Sequence, residues 1–433
     1  MGEKARAGDG VVAGAGLIGG RPVFCYAQDS DYAGGSLGEA HADTIVRVLE
    51  LAGRAGAPVV GFVSSGGARM QEGVAALGGY ARIFSHTVAL SGKVPQISVI
   101  TGLSAGGGAY SPALTDWTVM TEESSMFLTG PGVVRETLGE QVTAKGLGGT
   151  RVHQRNGVCH FVAPTDLDAA HLARRLLGFL PSRRGGSAPL EPARPAGGRD
   201  PGGCVPAQAR RVYDVRDVIR CLADGGELLE VSSGWAKNLV TAFARVNGRA
   251  VGVIANQPRF LGGVLDADSS QKGARFVTKC NAFGVPLLVL VDTPGFMPGT
   301  RQESAGVIRF GATLVHAFAE ATVPRVTVIL RKAFGGAFIT MNSKDLGADY
   351  VFAWPDAQIG VMGAKPAVGI IRRRELAAAP DPESARERFA SEYADAQLRA
   401  EVAATAGYVD ELIAPAETRA RVAWALESIG GGR

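Results

Sequence analysis

Residues 20–35, GRPVFCYAQDSDYAGG, return in outline as residues 248–263, GRAVGVIANQPRFLGG. Gly20-Arg21-Pro22-Val23 answers to Gly248-Arg249-Ala250-Val251, and the turn Gly34-Gly35 to Gly262-Gly263, both at an offset of 228 residues. The same offset relates Ala57-Pro58-Val59-Val60 to Val285-Pro286-Leu287-Leu288. Farther on, Val94-Pro95 matches Val323-Pro324 and Gly106-Gly107 matches Gly335-Gly336 at 229, and Asp116-Trp117 matches Asp349-Tyr350 at 233. A near-constant offset held over roughly 100 residues marks a duplicated architecture. Two homologous halves are therefore expected in one chain.

Between them, Pro181 to Pro206 reads PSRRGGSAPLEPARPAGGRDPGGCVP, where Pro, Gly and Arg dominate and no apolar period survives. That composition predicts a linker or long surface loop. The expected organisation is a first domain over 1–182, a linker over 183–208 and a second domain over 209–433. Within each half, short β-branched runs (Val59 to Val63, Ile97 to Thr101, Leu287 to Val291, Val326 to Leu330) alternate with helical stretches, Ala40 to Ala55 and Gly306 to Ala321. In the latter, Val307, Phe310, Leu314, Val315 and Phe318 recur at helical spacing. Buried strands alternating with helices give an α/β fold with helices covering the sheet.

The bulk numbers agree with two soluble domains: 433 residues, 46% hydrophobic and 20% charged. The 60 glycines have no Gly-X-Y period, which excludes collagen, and cluster in turns between apolar runs. A net charge of +4, thinly spread, gives no footprint for nucleic acid. Five cysteines without a C-x-x-C pair argue against a disulfide framework or a zinc ribbon and fit a reducing cytoplasm. The start, MGEKARAGDG, has no apolar signal-peptide core, and the longest apolar runs are too short to span a bilayer. No His/Asp/Glu cluster has metal-ligand spacing.

Two motifs compete for a functional reading. Gly14-Ala15-Gly16-Leu17-Ile18-Gly19 matches G-x-G-x-x-G, but a β-like run from Val23 to Tyr26 follows where a dinucleotide site needs a helix, so a hairpin is expected. Gly102-Leu103-Ser104-Ala105-Gly106 matches G-x-S-x-G after a strand, the setting of a nucleophile elbow, with His153, His160 and His316 downstream. The matching stretch of the second half, Lys332 to Gly336, has no Ser. What the halves share is a strand ending in a Gly-rich turn: Ala105-Gly106-Gly107-Gly108-Ala109 and Phe334-Gly335-Gly336-Ala337-Phe338. Backbone N–H groups at such a turn can aim at a developing oxyanion, although close helix–sheet packing also selects glycine. The strand-end loops Ser64 to Gly73 and Asp292 to Phe296 are the other candidate ligand positions.

Taken together, SGGARMQEG (65–73), AGGGAYSPA (105–113), TGPGVV (129–134), NQPRFLGGVLD (256–266), DTPGFMPG (292–299), RKAFGGAF (331–338), SKDLGAD (343–349) and AWPDAQIGVMG (353–363) resemble the carboxyltransferase β subunits of propionyl-CoA and acetyl-CoA carboxylases. The resemblance runs from about Gly8 to Ala425. It implies two tandem crotonase-like domains, commonly assembled as a hexamer, a trimer of dimers, with the site between the N domain of one subunit and the C domain of its partner. It implies an acyl-CoA substrate on the N side. Biotin on the C side is implied to arrive as carboxybiotin on the carrier of a separate biotin carboxylase α subunit; no metal is implied in this subunit. Released CO₂ and the biotin ureido nitrogen then act together: the nitrogen takes the α-proton and the enolate attacks CO₂.

On that resemblance, the N–H groups of Gly107 and Gly108 serve the thioester enolate and those of Gly336 and Ala337 the ureido oxygen. Ser65, Gly66, Gly67, Ala68, Arg69, Gly106 and Gly335 line the substrate. Relatives usually have Gly-Ala at Gly107-Gly108 and Asp or Asn at Ser64. Ile339 stands where propionyl-CoA-type relatives carry Asp, which implies an apolar acyl pocket. Relatives also carry a helical segment before the GDG motif and a basic tail, whereas this sequence starts just before Gly8-Asp9-Gly10 and stops at Arg433, so a smaller oligomer is weighed beside the hexamer. A biotin-independent acyl-CoA decarboxylase of the same fold is the alternative activity.

Overall fold

The computed structural model describes residues 7–198, 200–208 and 211–430. Parts of the expected domains, 1–6, 209–210 and 431–433, lie outside the described residues. The chain forms two compact units. The first runs up to Pro189 and takes in residues 232–235 and 282–284; the second holds the remainder.

In the first unit β1 (Val11–Ile18) and β2 (Arg21–Gln28) form an antiparallel hairpin, followed by α1 (Glu39–Ala55), β3 (Val59–Ser65), α2 (Val74–Leu90), β4 (Gln96–Ala105), α3 (Gly107–Ala113), β5 (Trp117–Thr121), β6 (Ser125–Phe127) and β7 (Phe161–Ala163). Helix α1 forms because Ile45, Val48, Leu49 and Ala52 fall on one buried face, and it stops at left-handed Gly56. The sheet order is β1-β2-β3-β4-β5-β7, with β6 pairing β4 and every pair after the hairpin parallel.

The second unit contains α4 (Val215–Leu222), β8 (Leu228–Val231), β9 (Leu239–Val246), β10 (Arg249–Asn256), α5 (Ala267–Ala282), β11 (Leu287–Thr293), α6 (Val307–Glu320), β12 (Arg325–Phe334), α7 (Gly335–Thr340), β13 (Tyr350–Ala353), β14 (Gln358–Gly360) and β15 (Glu411–Leu412). Its order, β9-β10-β11-β12-β13-β15 with β14 on β12, repeats the first sheet, and β8 is an added edge strand. The strand registers carry the sequence offsets. Phe24 opposite Val59 becomes Gly252 opposite Leu287, and Ile97 opposite Trp117 becomes Val326 opposite Tyr350.

Both sheets carry the same irregularity. After Val63 pairs Ile100, the next partners are Ser65 and Ser104; after Val291 pairs Ile329, they are Thr293 and Ala333. Two extra residues thus bulge out of β4 and β12 just before the glycine turn, and such a bulge re-aims the strand end. The motif Gly14 to Gly19 lies along β1 and turns at Gly19-Gly20 into β2, the hairpin expected, with no helix after it.

Each unit has its own core: around Leu37, Ile45, Ile100 and Met120 in the first, and around Val253, Leu288, Val328 and Phe352 in the second. A satellite cluster, Val368, Leu376 and Phe389, joins three late helices. The stretch expected as linker is divided. Pro189 closes the first unit, and from Leu190 the chain is stitched to the second: Glu191 N–H donates to the Gly248 carbonyl and Ala196 bridges Asp224. Among the described residues no helix is long and apolar enough to cross a membrane.

Candidate active site

At the end of β4 the chain reverses at Gly106, with φ 57° and ψ −123°, a backbone region closed to side chains. The Gly106 N–H is spent on the Phe127 carbonyl at 3.1 Å. Helix α3 starts at the next residue, and the Gly107 N–H has no hydrogen-bond partner among the described residues. The Gly108 amide bears on the Tyr80 hydroxyl, which also contacts Ser65 Oγ at 3.1 Å. Burial raises the Tyr80 phenol above its usual range, so it remains neutral. A Cβ on Gly107 would lie 2.6 Å from the Tyr80 ring.

The second turn has the same path. Gly335 takes φ 61°, α7 begins there, and the N–H groups of Gly336 and Ala337 have no hydrogen-bond partner among the described residues. Its roof differs. A Cβ on Gly336 would meet nothing nearer than the Phe296 ring at 3.7 Å. Gly336 and Ile339, one helical turn apart, line two adjoining cavities of about 550 and 620 Å³. The first is walled by Phe296, Met297, Val307 and Ile308, and the second by Ile359, Val361, Val402 and Tyr408. Ile339 is 51% exposed there. An apolar enclosure beside two N–H donors left without partners among the described residues can hold a ligand that develops negative charge on one oxygen.

The expected loop residues lie beside the first turn, but most of their polar groups are engaged. Gly66 N–H donates to the Gly34 carbonyl and Gly67 N–H to Ser65 Oγ. Arg69 departs from the substrate-binding expectation. Its Nη1 contacts Asp9 at 2.7 Å and Glu72 at 2.8 Å, Nη2 donates to the Ser36 carbonyl, and the side chain is 12% exposed. Two carboxylates neutralise the guanidinium, which makes Arg69 a clamp on the loop.

The nucleophile-elbow reading fails on geometry. Ser104 is fully buried within β4, its Oγ without a partner among the described residues, while the elbow conformation belongs to Gly106. His153 and His160 are bonded to the Met126 carbonyl and the Thr118 N–H, and His316 lies in the other unit.

The sequence reading missed a buried ion pair behind the second turn. Arg331 Nε donates to Asp292 Oδ2 at 3.0 Å, and Arg331 Nη1 donates to the carbonyls of Pro206, Gln208 and Arg211. Lys332 Nζ lies 3.8 Å from Asp292 Oδ1. Burial pushes the Asp292 carboxyl up, against the pull of Arg331 and Lys332. In both units an amide holds the corresponding strand end: Ser64 N–H donates to Gln28 and Asp292 N–H to Asn256. In the first unit, however, Ser64 and Gly102 stand where the second has Asp292 and Arg331. Comparing the two halves at the bulge was the signal available: an Arg-Lys against a Gly-Leu.

Duplicated, mostly parallel sheets, each delivering a strand through a bulge into a glycine turn, define an α/β protein of two homologous units. The chain belongs to the carboxyl transferase domain family, whose description matches residues 1–429. It is 49% identical over 424 residues to the methylmalonyl-CoA carboxyltransferase 12S subunit of Propionibacterium freudenreichii subsp. shermanii, covering 97% of this chain and 80% of that one. It is 50% identical over 443 residues to the propionyl-CoA carboxylase beta chain of Saccharopolyspora erythraea, covering 98% and 81%. The crystal structure of the transcarboxylase 12S hexamer with methylmalonyl-CoA and methylmalonic acid bound superposes with a TM-score of 0.95, at 48% identity, over 98% of this chain and 82% of that one. The fold is thus the crotonase-like carboxyltransferase fold, and the chain is an enzyme of carboxyl transfer.

Proposed function

We propose that this chain is the carboxyltransferase subunit of a biotin-dependent acyl-CoA carboxylase, moving a carboxyl group to the α-carbon of a short-chain acyl-CoA. The observation that carries the reading is the pair of matched turns whose Gly107, Gly336 and Ala337 N–H groups have no acceptor among the described residues. Such a reaction develops charge on two oxygens and asks for two donor sets. The first unit, expected as 1–182, takes the acyl-CoA. Gly107, with Gly108 and the Tyr80 hydroxyl behind it, holds the thioester oxygen as the α-proton leaves. The second, expected as 209–433, takes the biotin head. Gly336 and Ala337 receive its ureido oxygen, and the Phe296, Met297 and Ile308 wall excludes water. When bound, carboxybiotin supplies CO₂ and, in its ureido nitrogen, the base. Side-chain acid–base chemistry is not required. Loss of one such donor typically removes ~3 kcal/mol of transition-state stabilisation.

The enzyme works in the cytoplasm as a homo-oligomer, a hexamer on the family pattern, with a separate biotin carboxylase and carrier subunit. Ile339, beside the biotin-side turn, faces the acyl chain brought by the first unit of a partner subunit and keeps that end of the shared site apolar, so acetyl, propionyl and longer chains are accepted. Ile339→Asp is expected to cut turnover of butyryl-CoA relative to propionyl-CoA by about tenfold, the scale of an apolar pocket contact; an unchanged ratio overturns the assignment. The reading as a whole is tested by following methylmalonyl-CoA or malonyl-CoA loss with and without free biotin. Biotin-dependent loss is expected, and biotin-independent loss identifies a decarboxylase instead.

A further inference from the structure

We propose that Cys204 and Cys221 form a dithiol modification site that a two-electron oxidant, a peroxide or a small-molecule disulfide, closes to an intramolecular disulfide. Their Sγ atoms lie 3.7 Å apart, in van der Waals contact, on two elements of the second unit. Cys221 is in α4, 7% exposed; Cys204 ends the short 3₁₀ turn Pro201–Cys204 and is partly open to solvent. One thiol is thus reachable by a small oxidant, and the other waits behind it as the resolving partner. The remaining cysteines do not share this arrangement. Cys159 donates to the Phe161 carbonyl, Cys280 is fully buried, and burial pushes both thiols up, away from the reactive thiolate. Burial also pushes the Cys25 thiol up on β2.

With peroxide the Cys204 thiolate attacks one oxygen, the O–O bond breaks, and water leaves after protonation, giving a sulfenic acid. The Cys221 thiolate then attacks that sulfur, the S–O bond breaks, and a second water leaves. Two thiols lose two electrons and two protons in all, and one peroxide becomes two waters. With a small disulfide, the first step gives a mixed disulfide and the second releases the other thiol. A disulfide needs its sulfurs about 2.05 Å apart, a closure that side-chain rotation and a small shift of the 3₁₀ turn supply. The bond staples that turn to α4 only two residues before Pro206, whose carbonyl, with those of Gln208 and Arg211, holds Arg331.

The test is to treat the full chain with hydrogen peroxide or oxidised glutathione, block remaining thiols with iodoacetamide, and digest without reductant. A peptide pair joined through Cys204 and Cys221, two hydrogens lighter than its parts and released by dithiothreitol, is expected. In Cys221→Ser, Cys204 should instead retain a glutathione adduct. Peroxide driving Cys204 to sulfinic acid while Cys221 stays alkylatable, a cross-link between chains, or reaction first at Cys25 each overturns the proposal. The wild-type map alone decides it, so a variant that fails to fold does not obscure the result.

Discussion

Gly107 and Gly336 occupy matched positions, yet a methyl group would meet different obstacles at each. At Gly107 it runs into the Tyr80 ring at 2.6 Å, inside the protein itself; at Gly336 it has 3.7 Å of room and intrudes only on the cavity. Gly107→Ala is therefore expected to lose about 1–3 kcal/mol of stability, the usual scale of overpacking. Gly336→Ala should melt like the wild type but lose about 100-fold or more in biotin-dependent turnover. Paired melting curves and assays separate the two; a destabilised Gly336→Ala would contradict the open geometry.

Lys272 is buried in α5, with Nζ donating to the Leu239 carbonyl at 2.7 Å. Burial draws its pKa down to about 7, against about 10.4 in an unfolded chain. Between those values only the unfolded chain holds the proton, so protonation favours unfolding. Stability should fall as pH drops from about 10 to about 7 and level off below. Lys272→Met removes that slope, so its melting temperature should gain on that of the wild type as pH falls from about 9.5 to about 6.5; parallel curves would refute it.

At the scale of elements, the bulges in β4 and β12 are the same device carrying different cargo. In the first sheet the bulge is Gly102 against Ser64, so close that a Cβ on Gly102 would lie 2.5 Å from Ser64 Oγ. In the second, Arg331 and Asp292 fill the corresponding place with a pair whose exposures are 8% and 0%. Removing one partner of a buried pair leaves a charge stranded. Arg331→Met is expected to cost about 3–5 kcal/mol, measured by urea unfolding, and a cost near zero would mean that the pair is solvated. The edges differ as well. β1 is exposed along most of its length, whereas its counterpart β9 is buried throughout and flanked by β8.

For the whole molecule, the exposed apolar side chains are too numerous to be incidental. Met70, Val74 and Leu77 stand out on the first unit, and Ile308, Val361, Ile370 and Ile371 on the second, each at least 59% exposed. Large apolar side chains left open in this way are candidates for the surfaces on which copies of the chain meet. Light scattering on the purified chain should give a multiple of the monomer mass, and a monomer at micromolar concentration would refute the oligomer.

Legible in the sequence are the duplication, the α/β class, the two glycine turns and, through its motifs, the family. These are local or periodic properties: a strand's β-branched run, a helix's apolar spacing and a turn's glycines are written in consecutive residues, and a copied half repeats them at a fixed offset. What each residue faces is set by the assembled fold. Arg69 looked available for substrate because Asp9, sixty residues away in the chain, could not be seen to neutralise it. Ser104 sits in a G-x-S-x-G pattern that the second half does not repeat, and the fold places the elbow conformation at Gly106 and buries the hydroxyl. Arg331, Asp292 and the carbonyls of Pro206, Gln208 and Arg211 meet only when strands and loop are assembled, because a buried charge is stabilised by partners that sequence distance does not reveal.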